Sequence, residues 1–359
     1  MADVTGLDPI GIPVWLAIRP NAPTLTIASG KGATADAARA SAVMEAIEIW
    51  HAEIARPAQV TCPYVDLPSD ARPALADLPL TREGLFHPDL LQPWAAGLNL
   101  LDDQPAYAPA VMVGFGRTYT SNVELFCFPI GSNGLASGNT WDEAVASALY
   151  EVIERDAVAC VLAAAVAGVA RPPRVTPAAF PDPVRELGAR IARAGSALKV
   201  WDYTTDLSVP VFAAEVTDPT GRVPGRFAGW GAHLDPAVAL TRAVTEAVQS
   251  RVVYVAGARD DLKRTRSRPE VDRPGLPESV EPECDRLPPS AAGESAGDDV
   301  RILLRRLAAA GFRHATAFDL SRPEWPVRVA RVVVPGLEGY LSPNYRPGRR
   351  ARAAAGGLR

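Results

Sequence analysis

Apolar residues recur along this chain in two rhythms. Short β-branched or alternating runs, GIPVWLAI, TLTIAS, APAVMVGF, VELFCF, VPVFAAEV and RVARVVVP, have the period of strands. Between them lie long Ala-rich stretches in which apolar residues return every three or four positions, the period of helices. Interleaving of the two predicts a mixed α/β or α+β fold. Towards the C-terminus, VRILLRRLAAAG predicts a helix closed by glycine, followed by strands around HATAFDL and RVARVVV. Residues 258–298 break the pattern, because Pro, Glu, Asp, Arg and Ser dominate and apolar residues are few, the composition of a long mobile loop. A single domain over 1–359 with a loop at 258–298 is the expectation.

Three of the Ala-rich helices share a phase. They align on Glu45, Glu151 and Glu246. Eleven residues upstream of each stands an N-cap residue, Thr34, Thr140 or Asp235. Glu143 completes a capping box with Thr140, and Pro236 takes the first helical position after Asp235. Four residues upstream of the glutamates lie Ser41, Ser147 and Arg242, and three downstream lie Glu48, Glu154 and Gln249, so each helix carries three polar groups on one face. The flanks, as in ASAVMEAIEIW, ASALYEVIERD and TRAVTEAVQSR, are mostly Ala, Val, Leu and Ile, which predicts largely buried helices with one polar stripe apiece. A single ExxE on a helix is ordinarily a solvated face. Three copies in phase within apolar surroundings point to a shared role.

If the stripes converge, Glu45, Glu48, Glu151, Glu154 and Glu246 would repel one another in a poorly solvated site unless cations neutralise them. An all-oxygen donor set suits hard cations, and Mg²⁺ commonly bridges such carboxylates to nucleotide phosphates. Arg155, Arg242 and Arg251 adjoin the stripes and are suited to holding phosphate oxygens. Lys31, in GKG before the first helix, is one of only three lysines in a chain with 34 arginines, where an indifferent basic position would be Arg. Gly30 and Gly32 permit close backbone approach, and the helix N-terminus that follows favours anions. SNGLASGN repeats the arrangement before the second helix.

Composition narrows the function classes. With 359 residues and 48% hydrophobic content there is ample material for a large core. A net charge of −4, with Arg-rich stretches only near 263–268 and 346–352, lacks the footprint of a nucleic-acid binder. Cys62, Cys127, Cys160 and Cys284 form no CxxC pair and only four histidines are present, which argues against zinc and disulfide frameworks. MADVTGLDPIGIPVW has no secretory pattern and no run reaches the length of a membrane span, so a cytoplasmic protein without membrane partners is expected.

The sequences GKGATADAARASAVMEAIE, SNGLASGNTWDEAVASALYEVIERDA and HLDPAVALTRAVTEAVQSR resemble the three nucleotide-binding segments of the YcaO-domain family, and the resemblance covers nearly the whole chain. It implies β-sheets packed against long helices, with ATP and Mg²⁺ as cofactors. It implies a metal role for Glu45, Glu48, Glu151, Glu154 and Glu246, and a nucleotide role for Lys31, Ser41, Asn133, Ser147, Arg155, Gln249 and Arg251. The implied reaction is ATP-dependent phosphorylation of a backbone amide oxygen in a ribosomal peptide or protein, after which the nucleophile sets the product as azoline, amidine or thioamide. Azoline-forming relatives end in a proline-rich tail, whereas this chain ends PGRRARAAAGGLR. LDPIGIPVWLAIRPNAPTLTIASGKG and VARVVVPGLEG look like the branch that works beside a TfuA-like partner, for which thioamide formation is implied. The expected partners are a peptide substrate and a TfuA-like protein, with a homodimer through the apolar N-terminal segment left open. A non-catalytic nucleotide- or peptide-binding scaffold is the alternative of another class, and no spacing identifies a catalytic base.

Overall fold

The computed structural model describes residues 1–56, 59–115, 127–258, 283–339 and 345–356. The chain divides into two compact units, Met1–Ala46 with Ala165–Ala292, and Ile47–Ala164 with Gly293–Arg359. In the first unit come strands β1 (Ala2–Asp3), β2 (Val14–Ile18) and β3 (Ile27–Lys31), then the start of helix α1 (Ala35–Ile54). The second unit continues with β4 (Gln59–Pro63), β5 (Leu91–Asn99), β6 (Gln104–Pro109), β7 (Leu135–Gly138) and helix α2 (Trp141–Val166). The chain returns to the first unit for β8 (Arg174–Val175), α3 (Asp182–Arg193), β9 (Ala197–Asp202), β10 (Val211–Thr217), β11 (Arg226–Ala232), α4 (Pro236–Ala256) and β12 (Glu283–Cys284). It closes in the second with α5 (Ala296–Ala309), β13 (Thr316–Asp319), β14 (Arg328–Val333) and α6 (Arg349–Ala354). The fold is the expected mixture of helices and mainly antiparallel sheets.

The first unit holds a three-stranded sheet, β1-β2-β3, and a five-stranded one ordered β11-β10-β9-β8-β12. Strand β10 is buried along almost its whole length, and α4 presents Leu240, Val244 and Val248 to the core that Phe212 and Val216 of β10 share. Each such side chain contributes roughly 1.5–3 kcal/mol on burial. The second unit is built on one six-stranded sheet, β4-β5-β13-β14-β7 with β6 on β5. Its cores contain Leu135, Phe318 and Val329 on one side and Tyr64, Trp94 and Phe128 on the other.

Two expectations need revision. The strand read over 108–115 is instead the end of β6, which stops at Pro109, followed by a 3₁₀ turn at Ala110–Met112. Proline cannot donate to a ladder, and the buried Val111 and Val113 show that an apolar run marks burial without specifying a strand. Of the VELFCF run, residues 123–126 lie outside the described residues. The loop expected at 258–298 is narrower where it is described. Residues 259–282 lie outside the described residues, but Glu283–Cys284 pairs in parallel with Arg174–Val175, and Ser295 caps α5. Cys284 and Leu287 pack against the first unit's core, two apolar anchors inside an otherwise polar stretch. Among the described residues, no helix is long and apolar enough to cross a membrane.

Candidate functional site

Each of the three predicted helices follows a strand within two or three residues, as β3–α1, β7–α2 and β11–α4. The predicted caps form. Thr34 Oγ1 accepts from Ala37 N at 3.2 Å, Thr140 Oγ1 from Glu143 N at 3.2 Å, and Asp235 Oδ1 from Ala237 N at 2.7 Å. The capping box differs in one detail, since Glu143 Oε2 reaches past Thr140 to accept from the backbone and side chain of Asn139, at 2.8 and 2.9 Å.

Glycines let each helix lie against its own strand. A Cβ on Gly30 would stand 2.0 Å from Ala42 N and 2.2 Å from Ala38 O, and one on Gly231 would stand 2.2 Å from Ala239 O and 2.7 Å from Ala243 N. Those contacts fall seven and three residues before Glu45 and Glu246 alike. Gly32 and Gly138 form a second matched pair, aimed at Ala38 N and Ala144 N, both 2.6–2.7 Å from the would-be Cβ. The repeat is therefore one of backbone packing as well as of glutamate spacing.

All nine stripe positions, Ser41, Glu45, Glu48, Ser147, Glu151, Glu154, Arg242, Glu246 and Gln249, are half-buried, while Ala42, Ala46, Ala148, Val152, Ala243 and Ala247 beside them are buried. In the first unit the stripes are bound to β3, an edge strand. Ser29 N donates to Glu45 Oε2 at 2.9 Å, and Gln249 Nε2 donates to Ser29 O and to Ser29 Oγ. Lys31 Nζ pairs with Glu246 Oε2. In the second unit β7 ends its sheet, and Ser137 donates to Glu48 Oε1 from N at 2.8 Å and from Oγ at 2.6 Å. Arg155 Nη2 lies 3.6 Å from Glu151 Oε1. Strand-edge N–H groups thus bind Glu45 and Glu48 and fix their orientation, the support that ligating carboxylates commonly require.

Other predicted residues have different settings. Asn133 is half-buried and its Oδ1 is buried with no hydrogen-bond partner, an acceptor suited to a ligand donor. Arg251 is enclosed in the first unit: it is 1% exposed, its Nε donates to Asp8 Oδ2 at 2.6 Å, its guanidinium lies 5.8 Å from the centre of the Phe227 ring, and its Nη1 is buried with no hydrogen-bond partner. Two residues beyond Gln249 is about 200° around a helix, the opposite face. Ser29, Ser137 and Asp8 escaped the sequence reading. Aligning Gly32-Ala33-Thr34 with Gly138-Asn139-Thr140 places Ser137 at the phase of Lys31, the one signal available for it.

The donor chemistry fits a magnesium nucleotide. In the first unit half-buried Glu45 and Glu246 stand with Lys31, and in the second half-buried Glu48, Glu151 and Glu154 stand with Arg155 and the unsatisfied Asn133 acceptor. Among the described residues no three acidic, histidine or cysteine side chains form a ready metal cage. Mg²⁺ does not need one, because it takes one or two carboxylates and completes its shell with phosphates and water.

Residues 29–338 match the family model described as YcaO cyclodehydratase, ATP- and Mg²⁺-binding. The chain belongs to the YcaO family. ATP and Mg²⁺ are accordingly its cofactors. An uncharacterised protein in the tfuA 3′ region of Rhizobium leguminosarum bv. trifolii is 36% identical over 95% of this chain and 84% of its own. Among solved structures, YcaO from Methanopyrus kandleri bound with AMPPCP and Mg²⁺ superposes with TM-score 0.73 at 25% identity, covering 95% of this chain and 89% of the other. A heterocyclase in complex with substrate and cofactor shares the fold with TM-score 0.79 at 23% identity, covering 94% of this chain but 49% of that longer one.

Proposed function

We propose that this YcaO protein acts in the cytoplasm and modifies a backbone amide of a ribosomal peptide or protein in an ATP- and Mg²⁺-dependent reaction, giving a thioamide beside a TfuA-like partner. The observation that carries the ATP-dependent part is the threefold strand–helix repeat with half-buried glutamates and adjacent cations. The thioamide part is supported by the relative named for a tfuA 3′ region. ATP supplies the phosphoryl group that makes the amide oxygen a leaving group, and Mg²⁺ neutralises the charge on its phosphates.

On this reading the chain's own residues bind and orient. Glu45 and Glu246 in the first unit, and Glu48, Glu151 and Glu154 in the second, hold Mg²⁺, with Ser29 and Ser137 fixing Glu45 and Glu48 through backbone N–H groups. Lys31 and Arg155 hold phosphate oxygens, and Ser41, Ser147, Asn133 and Gln249 supply neutral hydrogen bonds. Half-burial of these groups lowers the local dielectric and strengthens each contact. The sulfur nucleophile that attacks the activated amide carbon comes from outside this set, and the amide oxygen leaves as phosphate. Azoline formation is the second reading, favoured by the cyclodehydratase description of the family and by the heterocyclase-like fold.

Calorimetric titration tests the binding step. ATP should bind in the presence of Mg²⁺, and Glu45→Ala and Glu151→Ala of confirmed fold should each abolish that binding; binding indifferent to both substitutions rejects the assignment. Product mass separates the chemistries. With the TfuA-like partner and a sulfur source, exchange of one oxygen for sulfur is expected, and loss of one water would establish the azoline instead.

A further inference from the structure

Three guanidinium groups border one cavity of the first unit. Pro9, Ile10, Arg190, Arg193, Ala194 and Arg222 line a space of about 430 Å³ at the C-terminal end of α3. Their charges are weakly compensated. Arg193 is exposed and has no ion-pair or hydrogen-bond partner among the described residues. Arg190 Nη2 pairs with Glu186 Oε1 at 2.8 Å, but that carboxylate is itself 67% exposed. Arg222 Nε lies 3.7 Å from Asp218 Oδ2, whose carboxylate already accepts from Thr220 N, Thr220 Oγ1 and Val223 N and adjoins Arg251. Arg222 is also held in place. Its Nε donates to Thr220 Oγ1 at 2.9 Å and its Nη2 to Ala194 O at 3.3 Å, passing Gly195, where a Cβ would stand 3.2 Å from Nη2. A side chain fixed before its ligand arrives loses less entropy on binding.

We propose that this cavity docks an acidic polypeptide segment, whose carboxylates pair with Arg190, Arg193 and Arg222. Guanidinium forks match carboxylates in geometry. Phosphate fits the place less well, because the C-terminal end of a helix dipole favours cations and opposes a doubly charged anion, which a helix N-terminus would hold. Singly charged carboxylates spread over three arginines meet less of that opposition. Pro9, Ile10 and Ala194 offer apolar contact to the methylene groups of acidic side chains, and no aromatic ring among the described residues lines the cavity for a nucleobase to stack on. The cavity is separate from the polar stripes. Pro9 follows Asp8, which pairs with Arg251 on the face of α4 opposite Gln249. An acidic segment can therefore dock there whether or not the stripes hold nucleotide.

Fluorescence anisotropy at low ionic strength tests the docking, with fluorescein-labelled hexaglutamate as the probe and labelled hexaglutamine as its uncharged control. Wild type is expected to bind hexaglutamate and not hexaglutamine. Arg193→Glu and Arg222→Glu, with folding checked by circular dichroism, should each weaken binding about fivefold, the scale of one exposed ion pair, and the double variant should abolish it. Arg301→Glu, which reverses an exposed arginine of α5 in the second unit, should leave binding unchanged. If Arg222→Glu does not fold, Arg193→Glu carries the test, because Arg193 has no ion pair or hydrogen bond for the substitution to break. Absence of hexaglutamate binding, unchanged affinity in folded Arg193→Glu, or an equal loss in Arg301→Glu overturns the proposal. Displacement of hexaglutamate by equimolar inorganic phosphate would make the cavity a phosphate site, and displacement by ATP with Mg²⁺ would place the peptide at the stripes; either result overturns it as well.

Discussion

Gln249 and Arg251 stand two residues apart on α4 and have opposite surroundings. Gln249 is half-buried and hydrogen-bonded to Ser29, whereas Arg251 is enclosed with Asp8. Both pairings cross more than 200 residues of sequence, so neither partner was readable beforehand. An arginine beside a polar stripe fits a phosphate as well as it fits a buried aspartate, and only the packed interior distinguishes the two. Both members of the Arg251–Asp8 pair are 1% exposed, and removing Asp8 leaves the buried guanidinium with a single longer ion pair, to Asp218 Oδ2 3.9 Å from its Nη2. Asp8→Ala is therefore expected to lower stability by about 3–5 kcal/mol in urea unfolding. Folded Asp8→Ala should still bind ATP with Mg²⁺, and loss of binding without loss of stability would return Arg251 to the nucleotide site.

At the scale of elements, the three caps and the polar stripes followed from local pattern, because capping and amphipathic periodicity are decided within a few residues, whereas of the strands that precede these helices only β3, in TLTIAS, was read, and the Gly-rich β7 and β11 were not. What the pattern left out was why the strands hold so close. Gly30 and Gly231 bring a strand backbone against the same two turns of the following helix. A methyl group at Gly30 meets Ala42 N and Ala38 O, backbone atoms that cannot rotate away, so Gly30→Ala must push α1 off β3. The expected loss is about 3 kcal/mol, at the upper end of ordinary overpacking. Gly6→Ala, with nothing within 4 Å of its would-be Cβ, should change the unfolding midpoint little. Equal effects at Gly6 and Gly30 would show that the close approach is unimportant.

At the scale of the whole molecule, the chain alternates between two units, each assembled from two separate stretches. A fragment ending at Ala164 carries the three-stranded sheet but lacks β8 to β11 and α4 of the first unit, and lacks α5, β13 and β14 of the second. Neither core can close, so fragment 1–164 is expected to show no cooperative thermal transition by circular dichroism. A sharp transition would mean that one unit folds from half its parts. The sequence by itself determined the mixed fold, the phase of three helices, the polar stripe on each and the kinship they imply, since these depend on spacing along the chain. Tertiary structure alone decided that Glu45 and Glu48 are held by strand edges, that Lys31 pairs with Glu246, that Arg251 turns inward and that the chain folds as two interleaved units. Those outcomes depend on which distant backbone or charge reaches each side chain, and chain spacing carries no record of that distance.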